Sequence, residues 1–178
     1  DGNGTELQWP RWPHGWEAIK TFYGNPDMNK DLRRDPKWEQ RYLRRFTLPF
    51  KMVLSYNLEV EVRSVLVNKK CGKAMMAALE IFLDAVGLKA IEYNGWNVLG
   101  GIDNFRYQTG SREYLSIHSL AAAIDHNPRL GEYGKPPHQP PELIAAYDEV
   151  GAMWAGRWPE MNSAWPYDGM HWQWATGY

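Results

Sequence analysis

The alternation of apolar and polar residues changes its period several times along the chain, which predicts a mixture of strands and helices. Over 58–67, apolar residues alternate with charged ones, the pattern of a strand with one buried face. The apolar run 50–56 predicts a neighbouring strand. From 73 to 86, apolar residues recur at helical spacing instead, and Gly87 supplies a helix end. This part of the chain is therefore predicted to be two strands followed by an amphipathic helix.

Turn, capping and helix-breaking residues predict the other elements. Asp35 followed by Pro36 is typical of a helix start, and Pro141 begins another helix. The remaining predicted elements are an arm over 1–13, helices over 15–23, 36–46 and 141–150, and short strands over 89–93 and 171–174. Because strands and helices are mixed without βαβ regularity, we predict an α+β fold with an antiparallel sheet as the platform of the site.

The segment 119–125 is compatible with either a helix or a strand. Its alanines favour a helix, and a spacing of seven would place His118 and Asp125 on one helical face. Asn127-Pro128 would stop such a helix at once. The residues alone leave both interpretations open.

Size and charge restrict the class of protein. At 178 residues and 20.6 kDa the chain is large enough to bury a core. We expect a single domain over 1–178, with an N-terminal arm and helices over 1–48 and a catalytic core over 49–178. A formal charge of −1 gives no electrostatic reason to expect nucleic acid as a partner. Because no apolar stretch has transmembrane length, we expect no membrane span, and no signal peptide is visible. We also expect the protein to be a monomer.

Cysteine and aromatic content narrow the choice further. Cys71 is the only cysteine, so a disulfide within the chain and a cysteine-ligated structural zinc are both excluded. Ten tryptophans and ten tyrosines are many for this length, and most of them fit ordinary packing. They also leave open a different class of protein, an aromatic-rich carbohydrate-binding domain.

Two short clusters carry the candidate chemistry. In the first, His118 and Asp125 are joined by small and apolar residues, and in the second Asp168 precedes His171 by three positions. Two imidazoles and a carboxylate are enough to hold a catalytic zinc, which takes three protein ligands and leaves the fourth position to water. The other carboxylate would then be free to act on that water. Either cluster alone would be weak evidence, because such pairs also occur by chance.

Taken together and in this order, the clusters resemble a known family. The pattern Ser-x-His-x-x-Gly-x-Ala-x-Asp, followed by (Asp/Glu)-x-x-His, resembles that of the zinc D-alanyl-D-alanine carboxypeptidases and the related L-alanyl-D-glutamate peptidases of phage endolysins. The matching residues are Ser116, His118, Ala123, Asp125, Asp168 and His171. Residues 100–111 are similar to the family's arginine-bearing approach to the first motif, and 141–174 to its closing segment. The family's glycine is Ala121 here, where a methyl group suits an extended backbone but not a positive φ.

The resemblance implies a fold and a metal site. The fold would be that of the hedgehog and DD-peptidase proteins, with an antiparallel sheet carrying the zinc site and helices flanking it. It implies a turn after His118 and then a strand through Asp125, with Ala121, Ala123 and Asp125 on one side. One Zn²⁺ per chain would be held by His118, Asp125 and His171.

The resemblance also implies roles for the residues around the metal. Asp168 would be the general base that takes a proton from water and returns it to the leaving amine. Arg106 would face the substrate, where it would stabilise an oxyanion or hold a carboxylate, with Arg112 as a possible substitute. Ser116 would be a hydrogen-bonding residue that orients a ligand, and not a nucleophile.

The leading hypothesis is therefore a zinc metallopeptidase that hydrolyses peptidoglycan stem peptides. Two activities fit equally, removal of a terminal D-alanine and cleavage between L-alanine and D-glutamate. Such an enzyme would act on the bacterial cell wall, in the periplasm or outside the cell, or be delivered as a phage lytic enzyme. The alternative is a cell-wall-binding module that keeps the fold and has lost catalysis, to which only Ala121 points.

Overall fold

The strands of the protein form a central sheet, and the helices flank it. The computed structural model describes residues 9–161 and 164–177. In chain order the elements are α1 (Trp16–Tyr23), α2 (Pro36–Tyr42), β1 (Leu43–Leu54), β2 (Asn57–Asn68), α3 (Gly72–Val86), α4 (Leu88–Tyr93), β3 (Val98–Gly101), β4 (Ala123–His126), α5 (Pro141–Glu149), β5 (Met153–Trp154) and β6 (His171–Gln173), with 3-10 turns at Ile117–Leu120, Pro128–Leu130 and Ala155–Met161. None of the helices in the described ranges is long and apolar enough to cross a membrane.

The described strands form one sheet in the order β2-β1-β3-β4-β6-β5. The α+β class is confirmed, but the prediction of a purely antiparallel sheet is wrong, because β3 runs parallel to β1. The segment between β2 and β3 contains two helices, α3 and α4. A connection of this length can carry the chain back across the sheet, so that β3 runs in the same direction as β1. The remaining pairs are antiparallel. The finer likeness to the DD-peptidase fold stays a prediction.

The β1–β2 hairpin differs from its prediction at both ends. The helix predicted to reach residue 46 ends at Tyr42, because residues 43–47 pair with 64–68 and this ladder prevails over helix propensity. Residue 48, the predicted end of the N-terminal arm and helices, lies in the middle of β1 and not between two elements.

Burial along β2 is also uneven. The prediction of a half-buried strand is wrong for the outer part of β2, where Leu58 and Val60 are 49% and 40% exposed. Val65 and Val67 are buried at the base of the hairpin. The fully buried side chains of this strand therefore lie only toward its C-terminal end.

Helices α3 and α4 follow the hairpin. Helix α3 agrees with its prediction, and Leu79 and Phe82 are fully buried on its inner face. The strand predicted over 89–93 is wrong, because Gly87 redirects the chain with φ 79° and a short helix follows. The Ile91 amide donates to the Gly87 carbonyl and its side chain is fully buried, so a single helical turn suffices to anchor α4.

An aromatic stack forms the core on one face of the sheet. Trp172 of β6 lies between Tyr147 of α5 and Trp154 of β5, with ring centroids 4.6 and 5.8 Å away. His126 lies on the same side, where its Nε2 donates to the Trp96 carbonyl at 2.8 Å and its Nδ1 accepts from the Tyr147 hydroxyl at 3.2 Å. Burial lowers the pKa of His126 to about 4, so this ring is a neutral core residue. Because His126 directly follows Asp125 in β4, the two side chains point to opposite faces of the sheet.

The arm predicted over 1–13 is described from Trp9 onward, and its first eight residues lie outside the described part of the chain. The Trp12 indole donates to the Val150 carbonyl at 3.0 Å, and Gly15 donates to the Thr176 carbonyl at 2.8 Å. The described part of the arm therefore lies against the end of α5 and the C-terminal segment.

The segment after His118 is a 3-10 turn followed by a strand, as the resemblance implies, but Ala121 belongs to the turn. Ala121 ends the turn with φ 48° and ψ 39°, so its expected place in the extended strand is wrong. Its amide donates to the His118 carbonyl, and its own carbonyl accepts from the Asn68 amide. A left-handed conformation costs a residue with a Cβ about 1–2 kcal/mol, which these two hydrogen bonds and full burial offset.

We predict that Ala121→Gly changes the free energy of unfolding much less than Ala122→Gly. Both lose a buried methyl group, worth about 0.8 kcal/mol, and both gain the extra chain entropy of glycine, about 0.5–1 kcal/mol. Only Ala121→Gly recovers the left-handed cost of about 1–2 kcal/mol, because Ala122 has no positive φ. Urea unfolding measures both variants. Equal destabilisation by the two substitutions would contradict the left-handed assignment.

Candidate metal centre

The register of β4 and β6 brings two of the predicted ligands together. Asp125 pairs directly with His171 across the antiparallel ladder. Side chains of directly opposite residues leave the same face of a sheet with Cβ atoms about 4.5–5.5 Å apart. Ile124 and Trp172, the adjacent pair, point to the aromatic core on the other face. Asp125 and His171 therefore share the face opposite that core.

His118 comes to the same place from the 3-10 turn. The Ser116 hydroxyl accepts from the His118 amide at 3.3 Å and caps the start of the turn. The loop that follows β3 wraps around it, so that the Asn104 amide donates to the His118 carbonyl. The Ser119 hydroxyl further ties the turn to the loop by accepting from the Arg106 amide at 2.8 Å. The His118 side chain is almost fully buried as a result.

The three predicted ligands converge on one point. His118 Nε2 lies 3.2 Å from Asp125 Oδ1 and 3.1 Å from His171 Nδ1. His171 Nδ1 lies 3.1 Å from Asp125 Oδ1. Among the described residues, this is the one group of three or more His, Cys, Asp or Glu side chains that could hold a metal ion. The structure therefore brings together all three residues that the resemblance implies.

Each imidazole has a hydrogen-bond acceptor on the side away from the other ligands. His118 Nδ1 lies 2.9 Å from the Ile102 carbonyl, and His171 Nε2 lies 2.8 Å from Gln173 Oε1. Gln173 is fixed in turn, because its amide nitrogen donates to the Ala175 carbonyl. With each N–H directed to such an acceptor, the nitrogen of the neutral ring that faces the cluster carries a lone pair.

The charges of the cluster are coupled. Burial alone would raise the pKa of Asp125, but hydrogen bonds from the protonated forms of His118 and His171 outweigh burial and hold the pKa of Asp125 well below its usual range. Burial alone would lower the pKa of His171, but the bond to Asp125 outweighs this and raises it. The carboxylate is thus ionised at neutral pH and stabilises positive charge beside it.

The donor set fits zinc. Four ligands arranged tetrahedrally at about 2.0–2.1 Å from the metal lie about 3.3–3.4 Å from one another. The three observed separations of 3.1–3.2 Å are close to that value. Two neutral imidazoles, one carboxylate and an orienting acceptor for each ring are also the chemistry of a catalytic zinc site.

A small cavity opens in front of the cluster. His118 and His171 lie in its wall together with Arg106, Asp168 and Trp158. Asp168 Oδ1 is buried and has no hydrogen-bond partner in the described structure. Burial raises the pKa of Asp168, and the positive charge of His171 partly opposes that rise. Asp168 therefore borders the cavity, and one of its carboxylate oxygens has no hydrogen-bond partner among the described residues.

The two candidate arginines lie in different places. Arg106 lines the cavity in front of the His118–Asp125–His171 cluster, which we call the metal-side cavity. Its Nη1 donates to the Tyr107 carbonyl at 3.0 Å. Arg112 is exposed and lines a separate, charged pocket beside α1. Ser116 also lines the metal-side cavity, but its hydroxyl bonds the His118 backbone and not the ring. The roles of Arg106 and Ser116 stay predictions.

Some residues of the site were not predicted from the sequence. Gln173 and the Ile102 carbonyl orient the rings, and Trp158 lies 6.0 Å from His171 and closes one side of the cavity. The strand predicted over 171–174 contained the signal for Gln173, because residues two apart share a face. The Ile102 carbonyl had no such signal, since any residue type supplies a carbonyl.

Comparison with known proteins agrees with this geometry. Residues 109–174 match a family model described as D-alanyl-D-alanine carboxypeptidase. The searches of curated proteins and of solved structures gave no match. The resemblance carried by the two motifs is thereby confirmed over 109–174, the segment that contains His118, Asp125 and His171.

Proposed function

We propose that the protein is a zinc-dependent peptidase that hydrolyses peptide bonds of peptidoglycan stem peptides. The observation that carries the proposal is the unpartnered Asp168 Oδ1 in the wall of the cavity that the His118–Asp125–His171 cluster faces. A buried carboxylate oxygen without a partner is costly, so its presence beside three metal donors supports a catalytic purpose. The family match over 109–174 supports peptide hydrolysis as the reaction.

The cluster would hold the zinc through His118 Nε2, Asp125 Oδ1 and His171 Nδ1. Zinc, when bound, supplies Lewis-acid activation of a water molecule and of the scissile carbonyl. The protein contributes the orientation of both rings through Ile102 and Gln173, which keeps the donor atoms directed at one point.

Asp168 would move the proton of the reaction. Its Oδ1 takes a proton from the attacking water and gives it to the nitrogen of the leaving amine. The raised pKa of Asp168 suits the first step, because a more acidic carboxyl group would be a weaker base toward water. The carboxylic acid formed in that step can then donate its proton to the amine.

Arg106 would recognise negative charge on the substrate. Its side chain lies in the same wall as Asp168, and only one of its guanidinium nitrogens bonds to the Tyr107 carbonyl. The remaining N–H groups can donate to the developing oxyanion or to a terminal carboxylate. Either contact would favour a peptide substrate with charge close to the scissile bond.

The substrate class is the peptidoglycan stem peptide, and the bond is one of two. Removal of a terminal D-alanine needs a carboxylate contact close to the metal, whereas cleavage between L-alanine and D-glutamate needs room on both sides of it. An enzyme with either activity would act on the cell wall, in the periplasm or outside the cell, or be delivered as a phage lytic enzyme. The binding-module alternative depends on Ala121, whose left-handed turn leaves the three donors together.

Incubation with two defined muropeptides tests the proposed function. Purified protein with zinc is given a pentapeptide muropeptide that ends in D-Ala-D-Ala and a muropeptide that contains an intact L-Ala–D-Glu bond, and mass spectrometry identifies the products. Loss of one D-alanine, or release of a peptide that begins with D-glutamate while L-alanine stays on the sugar, assigns the activity. Binding without cleavage of either substrate by the zinc-loaded protein would refute catalysis and establish the binding module.

We predict that substitutions of the metal ligands abolish zinc binding, whereas substitution of Asp168 abolishes turnover and leaves zinc binding unchanged. His118→Ala, His171→Ala and Asp125→Ala should lose most of the bound zinc, because each removes one of three donors. Asp168→Asn should keep the zinc and lose about 10²–10⁴ in kcat, because only the proton carrier is removed. Metal content and stem-peptide hydrolysis are measured on the same preparations. Release of zinc from Asp168→Asn as complete as that from Asp125→Ala would show that base and ligand are wrongly assigned.

We predict that Arg106→Lys is impaired at least about tenfold in kcat/KM while its zinc content is normal. Lysine keeps the charge but cannot form the two-pronged contact of a guanidinium, and loss of a whole oxyanion donor typically costs about 10²–10³. A fall in kcat would indicate contact with the oxyanion, and a rise in KM alone would indicate contact with a substrate carboxylate. Arg112→Lys is the matched control, because Arg112 is exposed and lies in another pocket. The reverse result would move the role to Arg112.

A further inference from the structure

Arg34 lies in the loop before α2, outside the segment that matches the family. Its guanidinium is nevertheless buried next to the turn Ile117–Leu120, which carries His118. Its side chain is only 10% exposed. The guanidinium lies over the ring of Trp38 at 5.5 Å and over that of Phe105 at 5.0 Å. A cation placed between two rings in this way is fixed in position and is not part of the solvated surface.

The guanidinium contacts two segments that meet at His118. Nη1 and Nη2 each donate to one carboxylate oxygen of Asp103, the first at 2.8 Å. Nη2 also donates to the Ser119 carbonyl at 3.1 Å. Asp103 belongs to the loop after β3, and Ser119 belongs to the 3-10 turn. One side chain therefore joins the loop to the turn.

The same loop and turn hold the His118 ring. Asp103 directly follows Ile102, whose carbonyl accepts from His118 Nδ1 at 2.9 Å. Ser119 directly follows His118, and the Asn104 amide donates to the His118 carbonyl at 3.2 Å. If the loop moved away from the turn, the Ile102 carbonyl would leave Nδ1 and the ring would lose its orientation.

We propose that Arg34 is a positioning residue for His118, which acts by holding the loop 102–106 against the turn Ile117–Leu120. The proposal rests on the proposed function in one respect, because it takes the three-donor cluster to be a zinc site. Arginine is required because only a planar guanidinium can reach both Asp103 oxygens and the Ser119 carbonyl while it is stacked between two rings. The N-terminal part of the chain thereby becomes part of the metal centre.

Glu39 provides a control on the same guanidinium. Its carboxylate accepts from Arg34 Nη1 at 3.3 Å, but it lies on α2 and is half exposed. Asp103→Asn weakens the ion pair that joins Arg34 to the loop beside the metal centre, and Glu39→Gln weakens the ion pair that joins Arg34 to α2. If Arg34 served only to stabilise the fold, the two substitutions would have no reason to differ at the metal.

The experiment compares four variants with the wild type. Arg34→Lys and Asp103→Asn test the proposal, and Glu39→Gln controls for charge. Tyr23→Phe controls for stability, because it removes a buried hydrogen bond to the Trp174 carbonyl, which belongs to neither the loop nor the turn. Zinc affinity is measured by competition with a chromophoric chelator. Hydrogen exchange of the metal-free proteins is measured by mass spectrometry on peptides that cover 102–106 and 117–121.

Arg34→Lys and Asp103→Asn should each weaken zinc binding by about tenfold or more, the range found when a group that orients a metal ligand is removed. Both should also accelerate exchange over 102–106 and 117–121 more than over the β1–β2 hairpin. Glu39→Gln and Tyr23→Phe should keep zinc affinity within about twofold of the wild type. If Arg34→Lys does not fold, Asp103→Asn decides the matter alone.

Wild-type zinc affinity and exchange in Asp103→Asn would overturn the proposal, as would an equal loss of affinity in Glu39→Gln or Tyr23→Phe. The result is separable from the fate of the proposed function. A wild-type protein that binds zinc but cleaves no stem peptide refutes the proposed function and leaves the affinity comparison intact. A wild-type protein that binds no zinc also refutes the function, and exchange in the metal-free proteins then decides whether Arg34 holds the loop.

Discussion

The antiparallel pairing of β4 with β6 is the constraint on which the site depends. It places Asp125 directly opposite His171, and a slip of one residue in either strand would send one of them to the aromatic core. The core makes such a slip costly, because Trp172 would leave its stack between Tyr147 and Trp154. The large apolar rings on one face of the sheet therefore fix the register of the polar residues on the other face.

The direction of the imidazole N–H groups is the second condition for a metal centre. A neutral histidine can present either a donor or an acceptor, and only the acceptor binds a metal. The Ile102 carbonyl and Gln173 Oε1 each take one N–H, so the ring atoms left to face Asp125 are acceptors. One of these two partners comes from the backbone of a loop and the other from a side chain on the same strand as its histidine.

The sequence predicted the components of the site better than the connections between them. His118, Asp125 and His171 were identified because residue types and spacing within a segment are local properties. Helix α5 and strand β6 were predicted for the same reason, since their ends are marked by proline, glycine or the motif itself. The strand-to-helix error at α4 arose because a segment of six residues is too short for its hydrophobic period to distinguish a helix from a strand.

What could not be predicted depends on distant partners. The start of β1 at Leu43 is fixed by pairing with Asn68, and no local signal shows where a ladder begins. The left-handed Ala121 is another case, because its conformation is imposed by contacts with the end of β2. The burial of Arg34 is a third, since the basic residues around it are exposed and only its partners Asp103 and Ser119 distinguish it.

The exposed outer part of β2 has a consequence for the behaviour of the protein in concentrated solution. This strand is at the edge of the described sheet, and its unpaired backbone groups and exposed Leu58 and Val60 offer a surface on which a second chain could extend the sheet. Glu59 and Glu61 alternate with these apolar residues and are themselves exposed. An added strand would have to accommodate exposed Glu59 and the Glu61 carboxylate with its ion-pair partners Lys51 and Arg63, and such charged side chains disfavour edge-to-edge aggregation.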